Sequence, residues 1–220
     1  MTSFQLRWAA IIVLVAVAIA CGVWGGLNNP LDFALVQGGV ALRADYPIAV
    51  GAGVVLNYAG GAPATIGLVV GGAFTIWAAG RRREAIQLVA ILIGGRLLIE
   101  ILKMLVRRAR PALDLHPVTT HSLSFPSAHA ANSMIVFGAL ALAFAPPRHR
   151  ISALIVAVLA SLFVGASRPL LGVHWPSDVM AGWAVGAVWL LLWAPWLQRS
   201  AAIEAQHDIV GGHRAPVAEK

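Results

Sequence analysis

Residues that could do chemistry are confined to three short clusters in an otherwise apolar chain. The lysine cluster (103–111) holds Lys103 and, after six intervening residues, Arg110 and Pro111; the serine cluster (126–129) reads Pro126-Ser127-Ala128-His129; the histidine cluster (167–178) holds Ser167, Arg168, His174 and Asp178. Phosphoryl transfer needs cations around the phosphoryl oxygens, a nucleophile in line with the leaving group and an acid to protonate it. The three clusters together supply these parts and predict one phosphoryl-transfer site.

The histidine cluster offers a nucleophile. His174 and Asp178 are four residues apart and lead into an apolar run. A carboxylate on one ring nitrogen fixes the tautomer and leaves the other nitrogen free to attack. The alternative is that Asp178 only caps the following helix, with an unrelated histidine nearby. Arg168 adds a planar guanidinium that suits phosphate oxygens.

The serine cluster opens an apolar run that we expect to be a helix. Unpaired backbone N–H groups and the helix dipole make such a start an anion site. Ser127 could also be an ordinary N-cap, which is what serine at a helix start usually is. His129 alone could be an interfacial histidine with satisfied hydrogen bonds.

The lysine cluster ends a helix that carries several charges. Arg96, Glu100, Lys103 and Arg107 fall on one helical face. We expect Arg96 and Glu100 to form an internal ion pair, because charges inside a span almost always find a partner. Lys103 lies near the membrane exit at a fixed distance from Arg110, which favours a role in the site. Arg107 and Arg108 are expected to face lipid headgroups.

In this order the clusters resemble the signature of the type 2 phosphatidic acid phosphatase superfamily. That signature is Lys, six residues, Arg-Pro; then Pro-Ser-Gly-His; then Ser-Arg, five residues, His, three residues, Asp. The one departure is Ala128, which stands where the family has glycine. Glycine lets a backbone approach a phosphate closely, and we expect alanine to be accepted there if residue 128 is helical. The resemblance spans residues 103–178, and the predicted helix layout extends it to most of the chain.

The resemblance implies a phosphatase that works without a metal. His174 would attack phosphorus to form a phosphohistidine, and Asp178 would stabilise the cationic ring. His129 would protonate the leaving oxygen and then take a proton from the hydrolytic water. The phosphoryl oxygens would be held by Lys103, Arg110, Ser127, the Ala128 N–H and Arg168. Neither a cofactor nor a metal is expected, because no His, Cys, Asp or Glu set has convincing metal-ligand spacing.

Composition points to a membrane protein. The chain is 59% hydrophobic and 11% charged, with a mean hydropathy of +0.80, whereas a soluble domain carries about a quarter charged residues. The net charge of +7 would suggest nucleic acid in a soluble protein. Here the basic residues lie at the ends of apolar runs or in the clusters, so they predict topology and anion binding and no nucleic acid. The single Cys21 can form no internal disulfide.

The elements that must hold these clusters are helices. The expected fold is all-α: a six-span transmembrane bundle in one membrane domain (1–197), followed by a polar C-terminal tail (198–220). A span takes roughly 17–25 residues. The predicted spans are 8–27, 62–80, 85–106, 129–145, 151–166 and 178–197. Between the first two, we expect an interfacial or re-entrant helical segment centred on the short apolar stretch 48–56. A cleaved signal ending at Ala20 is the alternative for the first run.

The basic residues favour a cytoplasmic N-terminus, by nine on that face against six on the other. This orientation puts all three clusters on the opposite face. We therefore expect a multi-pass protein of the cell membrane with its site on the outer or periplasmic side.

The expected function is hydrolysis of a lipid phosphate or diphosphate at the outer face of the bilayer, where the lipid tail stays in hydrocarbon while the headgroup enters the site. An isoprenoid diphosphate carrier recycled for cell-wall synthesis is the preferred substrate, with phosphatidylglycerol phosphate, phosphatidic acid and lipid A phosphate left open. The loop 112–125, with His116 and His121, is where selectivity is expected. The sequence leaves the oligomeric state open.

Two other functions compete with this interpretation. An anion channel or transporter would need cations through the depth of the membrane, where only Arg96 clearly lies. A vanadate-dependent peroxidase shares the signature, but the peroxidases of the superfamily are soluble and this chain is not expected to be.

Overall fold

The computed structural model describes residues 2–112, 117–120 and 122–211, with side chains as far as 197. The helices are α1 (Ser3–Trp24), α2 (Pro30–Asp45), α3 (Pro47–Gly60), α4 (Ala62–Ala78), α5 (Arg82–Val106), α6 (Ala128–Phe144), α7 (Arg150–Leu170) and α8 (Pro176–Gly211), with a 3-10 turn at Pro147–His149. No strand forms in the described part of the chain. The all-α prediction is confirmed.

The predicted count of six spans is not confirmed. Among the described residues, four helical stretches are long and apolar enough to cross a membrane: Phe4–Trp24, Arg82–Val106, Pro147–Leu170 and Pro176–Leu197. The count rises to five if α2 and α3 together form one broken span. Helices α4 and α6, which the sequence analysis counted as spans, have 17 residues each. At 1.5 Å per residue they reach about 26 Å, against a hydrocarbon core of about 30 Å.

The segment between the first two predicted spans contains more helix than expected. Asn29 caps α2 through bonds to the N–H groups of Leu31 and Asp32. Helix α2 ends at Asp45 and α3 begins at Pro47, and the chain direction bends by 117° between the two helices. Proline disfavours a helical residue before it, so the break falls at Tyr46. The apolar stretch 48–56 is only the middle of α3.

Helices α6 and α8 pack closely enough for their backbones to touch. A Cβ atom added to Gly182 would lie 2.6 Å from the Ser127 carbonyl oxygen, and one added to Gly186 would lie 2.7 Å from that of Ala131. Small residues four apart allow this approach inside a membrane bundle. The contact also joins two of the clusters, because the Ser127 N–H donates to the Asp178 carbonyl at 2.9 Å.

Polar and apolar side chains are distributed as in a protein solvated by lipid. Large apolar residues such as Phe74, Leu105 and Phe163 are more than half exposed on the helix surfaces. Several charged and polar side chains are instead fully buried, among them Lys103, Arg168, His174 and Asp178. Together with the apolar helices, this arrangement marks a multi-pass membrane protein. Helix α8 runs beyond Leu197 to Gly211, and the division into a 1–197 domain and a polar tail remains a prediction.

Candidate active site

Four helix ends meet at one end of the bundle and bring the three clusters together. Lys103 is in the last turn of α5 and Arg168 in the last turn of α7. Ser127 immediately precedes α6, and Asp178 lies in the first turn of α8. Helix ends carry backbone N–H and C=O groups without partners inside the helix. Because four such ends meet here, this end of the bundle is polar.

His174 lies in the short loop between α7 and α8, facing Asp178. Gly172, at a φ of +74°, lets the chain turn back after α7. The Nδ1 atom of His174 lies 3.5 Å from Oδ2 of Asp178 and 3.3 Å from the Ser124 hydroxyl. Ser124 in turn donates to the same carboxylate oxygen at 2.5 Å. The His–Asp pair that the sequence predicted is thus formed, with a serine hydroxyl beside it.

The capping alternative for Asp178 also holds. Its Oδ2 accepts the backbone N–H of Trp175 at 3.0 Å, and Trp175 is the residue immediately before α8. A carboxylate in the first turn that reaches back in this way is half of a capping box. The two interpretations left open by the sequence are therefore compatible, because one carboxylate both starts α8 and contacts His174.

The other ring nitrogen of His174 faces a cation. Its Nε2 lies 3.0 Å from Nη1 of Arg110, and a guanidinium can only donate. Nε2 is therefore an acceptor, and the ring proton is on Nδ1 toward Asp178. Burial lowers the pKa of His174 to about 3; the nearby carboxylate opposes this shift and Arg110 adds to it. At neutral pH the ring is neutral, with its lone pair directed at Arg110.

Lys103 and Arg110 converge on the same serine. The Lys103 ammonium donates to Oγ of Ser122 at 2.8 Å and to the Leu123 carbonyl at 3.1 Å. Arg110 donates to the Ser122 carbonyl at 2.7 Å and to the Val173 carbonyl at 2.6 Å. Burial lowers the pKa of Arg110, against the pull of Asp178. The two predicted cations are thus held side by side by neutral oxygens.

Arg168 and Ser127 each have a donor atom without a partner. Arg168 is 1% exposed; one guanidinium nitrogen bonds to Asn57, and its Nε has no hydrogen-bond partner. Ser127 is at the N-cap position and completely buried, yet its hydroxyl makes no cap bond and has no partner. The ordinary capping role is therefore not observed. Buried donors without partners are costly, so an anionic ligand is what would satisfy this pair.

Ala128 and His129 are the first two residues of α6. Alanine was expected to be accepted at position 128 if that residue is helical, and it is. The His129 ring lies within interaction range of the Asn57 backbone and within electrostatic reach of Arg168 and His174. The second histidine therefore belongs to the same site.

Three residues around the site were not predicted as parts of it: Arg108, Ser124 and Asn57. Arg108 was expected to face headgroups, but it bonds to Asp178 at 2.8 Å, to Ser177, and to two carbonyls near the end of α1. A basic residue directly after an apolar helix usually contacts lipid headgroups. Nothing in the sequence distinguishes such a residue from one that, like Arg108, pairs with a buried carboxylate. Ser124 and Asn57 had no motif to mark them.

The predicted ion pair between Arg96 and Glu100 is wrong. Glu100 is exposed, and Nη1 of Arg96 is buried without a hydrogen-bond partner. Glu100 instead lies within electrostatic reach of Lys103, one turn further along the helix. The proposed selectivity loop 112–125 includes 113–116 and 121, so His116 and His121 lie outside the described residues.

No group of three or more His, Cys, Asp or Glu side chains among the described residues could hold a metal ion. What the site gathers is cations, two histidines and one carboxylate. This set can bind a tetrahedral oxyanion and attack it with a neutral imidazole.

Comparison with known families decides the relationship. The family model for the PAP2 superfamily matches residues 84–202, more than half of the chain. The chain belongs to the PAP2 superfamily. The match begins in α5 and includes all three clusters, so the region that matches the family is the region that carries the site.

Curated relatives of the chain are phosphatases with different lipid substrates in their names. It is 38% identical over 107 residues to a lipid A 1-phosphatase of Rhizobium johnstonii, covering 44% of this chain and 41% of that protein. It is 35% identical over 103 residues to phosphatidylglycerophosphatase B of Bacillus subtilis, covering 44% and 50%. It is 31% identical over 111 residues to an undecaprenyl-diphosphatase of Sulfolobus acidocaldarius, covering 48% and 52%. The chain thus matches about half the length of these relatives.

The crystal structure of a transmembrane PAP2-type phosphatidylglycerolphosphate phosphatase from Bacillus subtilis has the same fold. The TM-score is 0.74, over 91% of this chain and 96% of the other, at 22% identity. This likeness extends to the helices before residue 84, which the family match does not reach.

Proposed function

We propose that this protein is an integral-membrane phosphatase that hydrolyses a lipid phosphate or diphosphate through a phosphohistidine. The observation that carries the proposal is the orientation of His174. Its protonated nitrogen faces Asp178 and its lone pair faces Arg110, which would hold the phosphoryl group to be attacked. A nucleophile aimed at an anion-binding cation is what phosphoryl transfer requires.

The reaction would run in two displacements. Nε2 of His174 forms a bond to phosphorus while the bond to the leaving oxygen breaks, and His129 gives that oxygen a proton. Water then attacks the phosphohistidine, His129 takes a proton from it, and the bond between phosphorus and Nε2 breaks. Inorganic phosphate leaves, and His174 returns to its neutral form. Asp178 stabilises the imidazolium in between.

The phosphoryl oxygens would be bound by Lys103, Arg110, Arg168, the Ser127 hydroxyl and the Ala128 N–H. Ser127 and Arg168 support this assignment most directly, because each has a buried donor without a partner. Preorganised donors that meet developing charge in a buried site typically contribute about 10²–10³-fold each.

An isoprenoid diphosphate is our preferred substrate class. Its support is a relative named undecaprenyl-diphosphatase and an apolar surface that would keep a long hydrocarbon tail in lipid. Phosphatidylglycerol phosphate, phosphatidic acid and lipid A phosphate are the alternatives, and two of them match the names of other relatives.

We further propose six spans, with α4 and α6 crossing as short helices, and a site on the outer or periplasmic face of the cell membrane. The test uses cysteines placed at exposed positions in a Cys21→Ala background. A cysteine at Thr119 should react with a membrane-impermeant thiol reagent in intact cells, and one at Arg82 should not. The reverse pattern would put the site in the cytoplasm.

An anion channel is the competing class. Helices α5 and α7 bury Lys103 and Arg168 in their last turns, and only Arg96 lies clearly within a span. A row of cations through the membrane, which a path would need, is not found in the described helices.

The experiment that tests the function is phosphate release by detergent-purified protein from diphosphate and monophosphate lipids, with a chelator present. We expect release without added metal and inhibition by vanadate, which can mimic five-coordinate phosphorus. Activity that chelator abolishes and a divalent ion restores would contradict the mechanism. Failure on every lipid phosphate would contradict the function.

A further inference from the structure

Helix α3 contributes a residue to the site from outside the region that matches the family. Asn57 lies in the last turn of α3, well before residue 84, where the family match begins. Its side-chain oxygen accepts Nη1 of Arg168 at 2.5 Å. Since a guanidinium only donates, the amide must present its oxygen to Arg168.

The partner of Arg168 is unusual for a buried guanidinium because it is neutral. Carboxylates pair with residues such as Arg81, Arg108 and His174, but among the described residues none lies within 4.0 Å of Arg168. The charged neighbour in electrostatic reach is Arg110, another cation. A buried charge normally needs a counter-charge, so Arg168 is held in place without being neutralised.

Two close contacts set the register of α3 against α7 on either side of this pair. A Cβ atom on Gly60 would lie 2.2 Å from Cγ1 of Val164, and one on Gly53 would lie 3.1 Å from Leu171. Gly60 is about one turn after Asn57, and Val164 is about one turn before Arg168. The two contacts bracket the Asn57–Arg168 bond, so packing fixes the amide opposite the guanidinium.

The backbone of Asn57 serves the second histidine. Its carbonyl is one of the last four in α3, which have no partner inside the helix. The His129 ring lies within interaction range of the Asn57 backbone, at the negative end of the helix dipole. One residue thus contacts both a phosphate-binding cation, through its side chain, and the acid–base histidine, through its backbone.

We propose that Asn57 is a positioning residue whose amide orients Arg168 for phosphate while leaving its charge available. The inference rests on the proposed function of the site. An aspartate in the same place would bond to Arg168 more strongly, but it would neutralise the guanidinium and repel the incoming phosphate. An amide oxygen is therefore the better partner for a cation that must bind an anion.

The test compares anion binding in Asn57→Asp and Asn57→Ala, using vanadate and inorganic phosphate on the detergent-purified full chain. Binding is read from the anion's stabilisation of the protein against unfolding, so it does not depend on turnover. We expect Asn57→Ala to weaken anion binding about 10-fold, through loss of one bond to a charged group. Asn57→Asp should weaken it about 100-fold or more, because like charges then meet in a buried site. The exposed Asn28→Asp, which adds the same charge elsewhere, should bind as the wild type does.

The order of the two variants separates positioning from a structural role. A purely structural asparagine would tolerate aspartate better than alanine, since aspartate keeps the acceptor oxygen. Anion binding by Asn57→Asp that equals or exceeds that of Asn57→Ala therefore overturns the proposal. In an Arg168→Gln background, Asn57→Ala should have little further effect on anion binding, because the amide then has no guanidinium to orient, and an undiminished effect would also overturn the proposal.

Two further outcomes have fixed meanings. If Asn57→Asp does not purify as a folded protein, Asn57→Ala decides, and wild-type anion affinity in that variant overturns the proposal. If the wild type itself binds neither anion, the proposed phosphate site is wrong as a whole. A wild type that binds vanadate and releases phosphate, beside indifferent Asn57 variants, contradicts the inference alone.

Discussion

Two arginines flank the site, Arg168 fully buried and Arg108 partly buried, and their surroundings differ. Arg108 has several hydrogen-bond partners: Asp178, Ser177 and two carbonyls of α1. Its Cζ atom lies 4.6 Å from the centre of the Phe125 ring. Arg168 bonds to one neutral amide, that of Asn57, and its Nε has no hydrogen-bond partner. Arg108 therefore has its charge balanced within the protein, whereas Arg168 keeps an unpaired donor for the phosphate that we propose it binds.

The contrast shows how a buried charge reveals its role. A cation that balances a carboxylate stabilises the fold, and its removal leaves that carboxylate unpaired. A cation without a counter-charge raises the free energy of the empty site, and a bound phosphate relieves this. Substitution of Arg168 should therefore lower activity more than stability, and substitution of Arg108 should lower stability more than activity.

The largest effect is expected at Arg168. Arg168→Gln should lower kcat/KM by about 10³-fold, because it removes a donor that meets charge in the transition state. Its unfolding temperature should stay at or above that of the wild type, because a buried unbalanced charge is gone. Steady-state kinetics and thermal unfolding in the same detergent measure the two quantities. A variant that lost stability along with activity would make Arg168 structural.

Arg108→Gln should show the opposite balance. It leaves Asp178 buried without its cation, which typically costs about 3–5 kcal/mol. We expect a clear fall in unfolding temperature, measured in the same detergent, together with reduced activity, because Asp178 also contacts His174. Arg107→Gln, at the exposed neighbouring arginine, is the matched control and should leave both quantities unchanged. If Arg108→Gln were as stable as the wild type, Arg108 would not stabilise the fold, and the proposed difference from Arg168 would be contradicted.

Ser127→Ala sharpens the comparison with a smaller change. The hydroxyl makes no cap bond in the free protein, so the usual loss of about 1 kcal/mol for a removed N-cap should be absent. Activity should fall by about 10- to 100-fold, since the hydroxyl is expected to bond to the phosphoryl group. Parallel kinetics and unfolding would check this. A loss of stability with full activity would restore the ordinary capping role.

The smallest effect is a pH dependence of stability from His174. Its pKa is lowered to about 3 in the folded protein, against about 6.5 when unfolded. Below about pH 6.5 the unfolded chain takes up a proton that the folded chain does not, so stability is complete above that pH and declines as pH falls. From about pH 7 to about pH 5.5 the wild type should lose about 1 kcal/mol more than His174→Asn. Equal pH dependence of the two unfolding curves would show that His174 keeps an ordinary pKa.

The sequence predicted what local spacing determines. Lys103, Arg110, Ser127, His129, Arg168, His174 and Asp178 were chosen from residue type and spacing, and the structure brings them to one end of the bundle. Their partners could not be predicted in the same way. Asn57 lies over a hundred residues from Arg168 along the chain, and only the packing of α3 on α7 brings them together.

The departures in the fold have a similar origin. Pro126 and Ser127 determine where α6 begins, and the sequence indicated this start. Whether a helix of 17 residues crosses the bilayer depends on the helices packed around it, which the sequence does not show. One interfacial or re-entrant segment around 48–56 was expected, so neither the break at Pro47 nor the angle between α2 and α3 was predicted. Arg108 was misread because a basic residue after an apolar helix has the same local pattern whether it meets lipid or a carboxylate.

The central claim is that His174 carries the phosphoryl group, and trapping labelled phosphoenzyme by rapid quench tests it most directly. Wild-type protein mixed with a labelled lipid diphosphate should give acid-labile label on His174, and His174→Ala should give none. His129→Ala should still trap label, more slowly, because a diphosphate leaving group needs little protonation and the loss of acid–base catalysis typically costs about 10²–10⁴-fold. Label retained by folded His174→Ala and absent from folded His129→Ala would contradict the account and exchange the two roles.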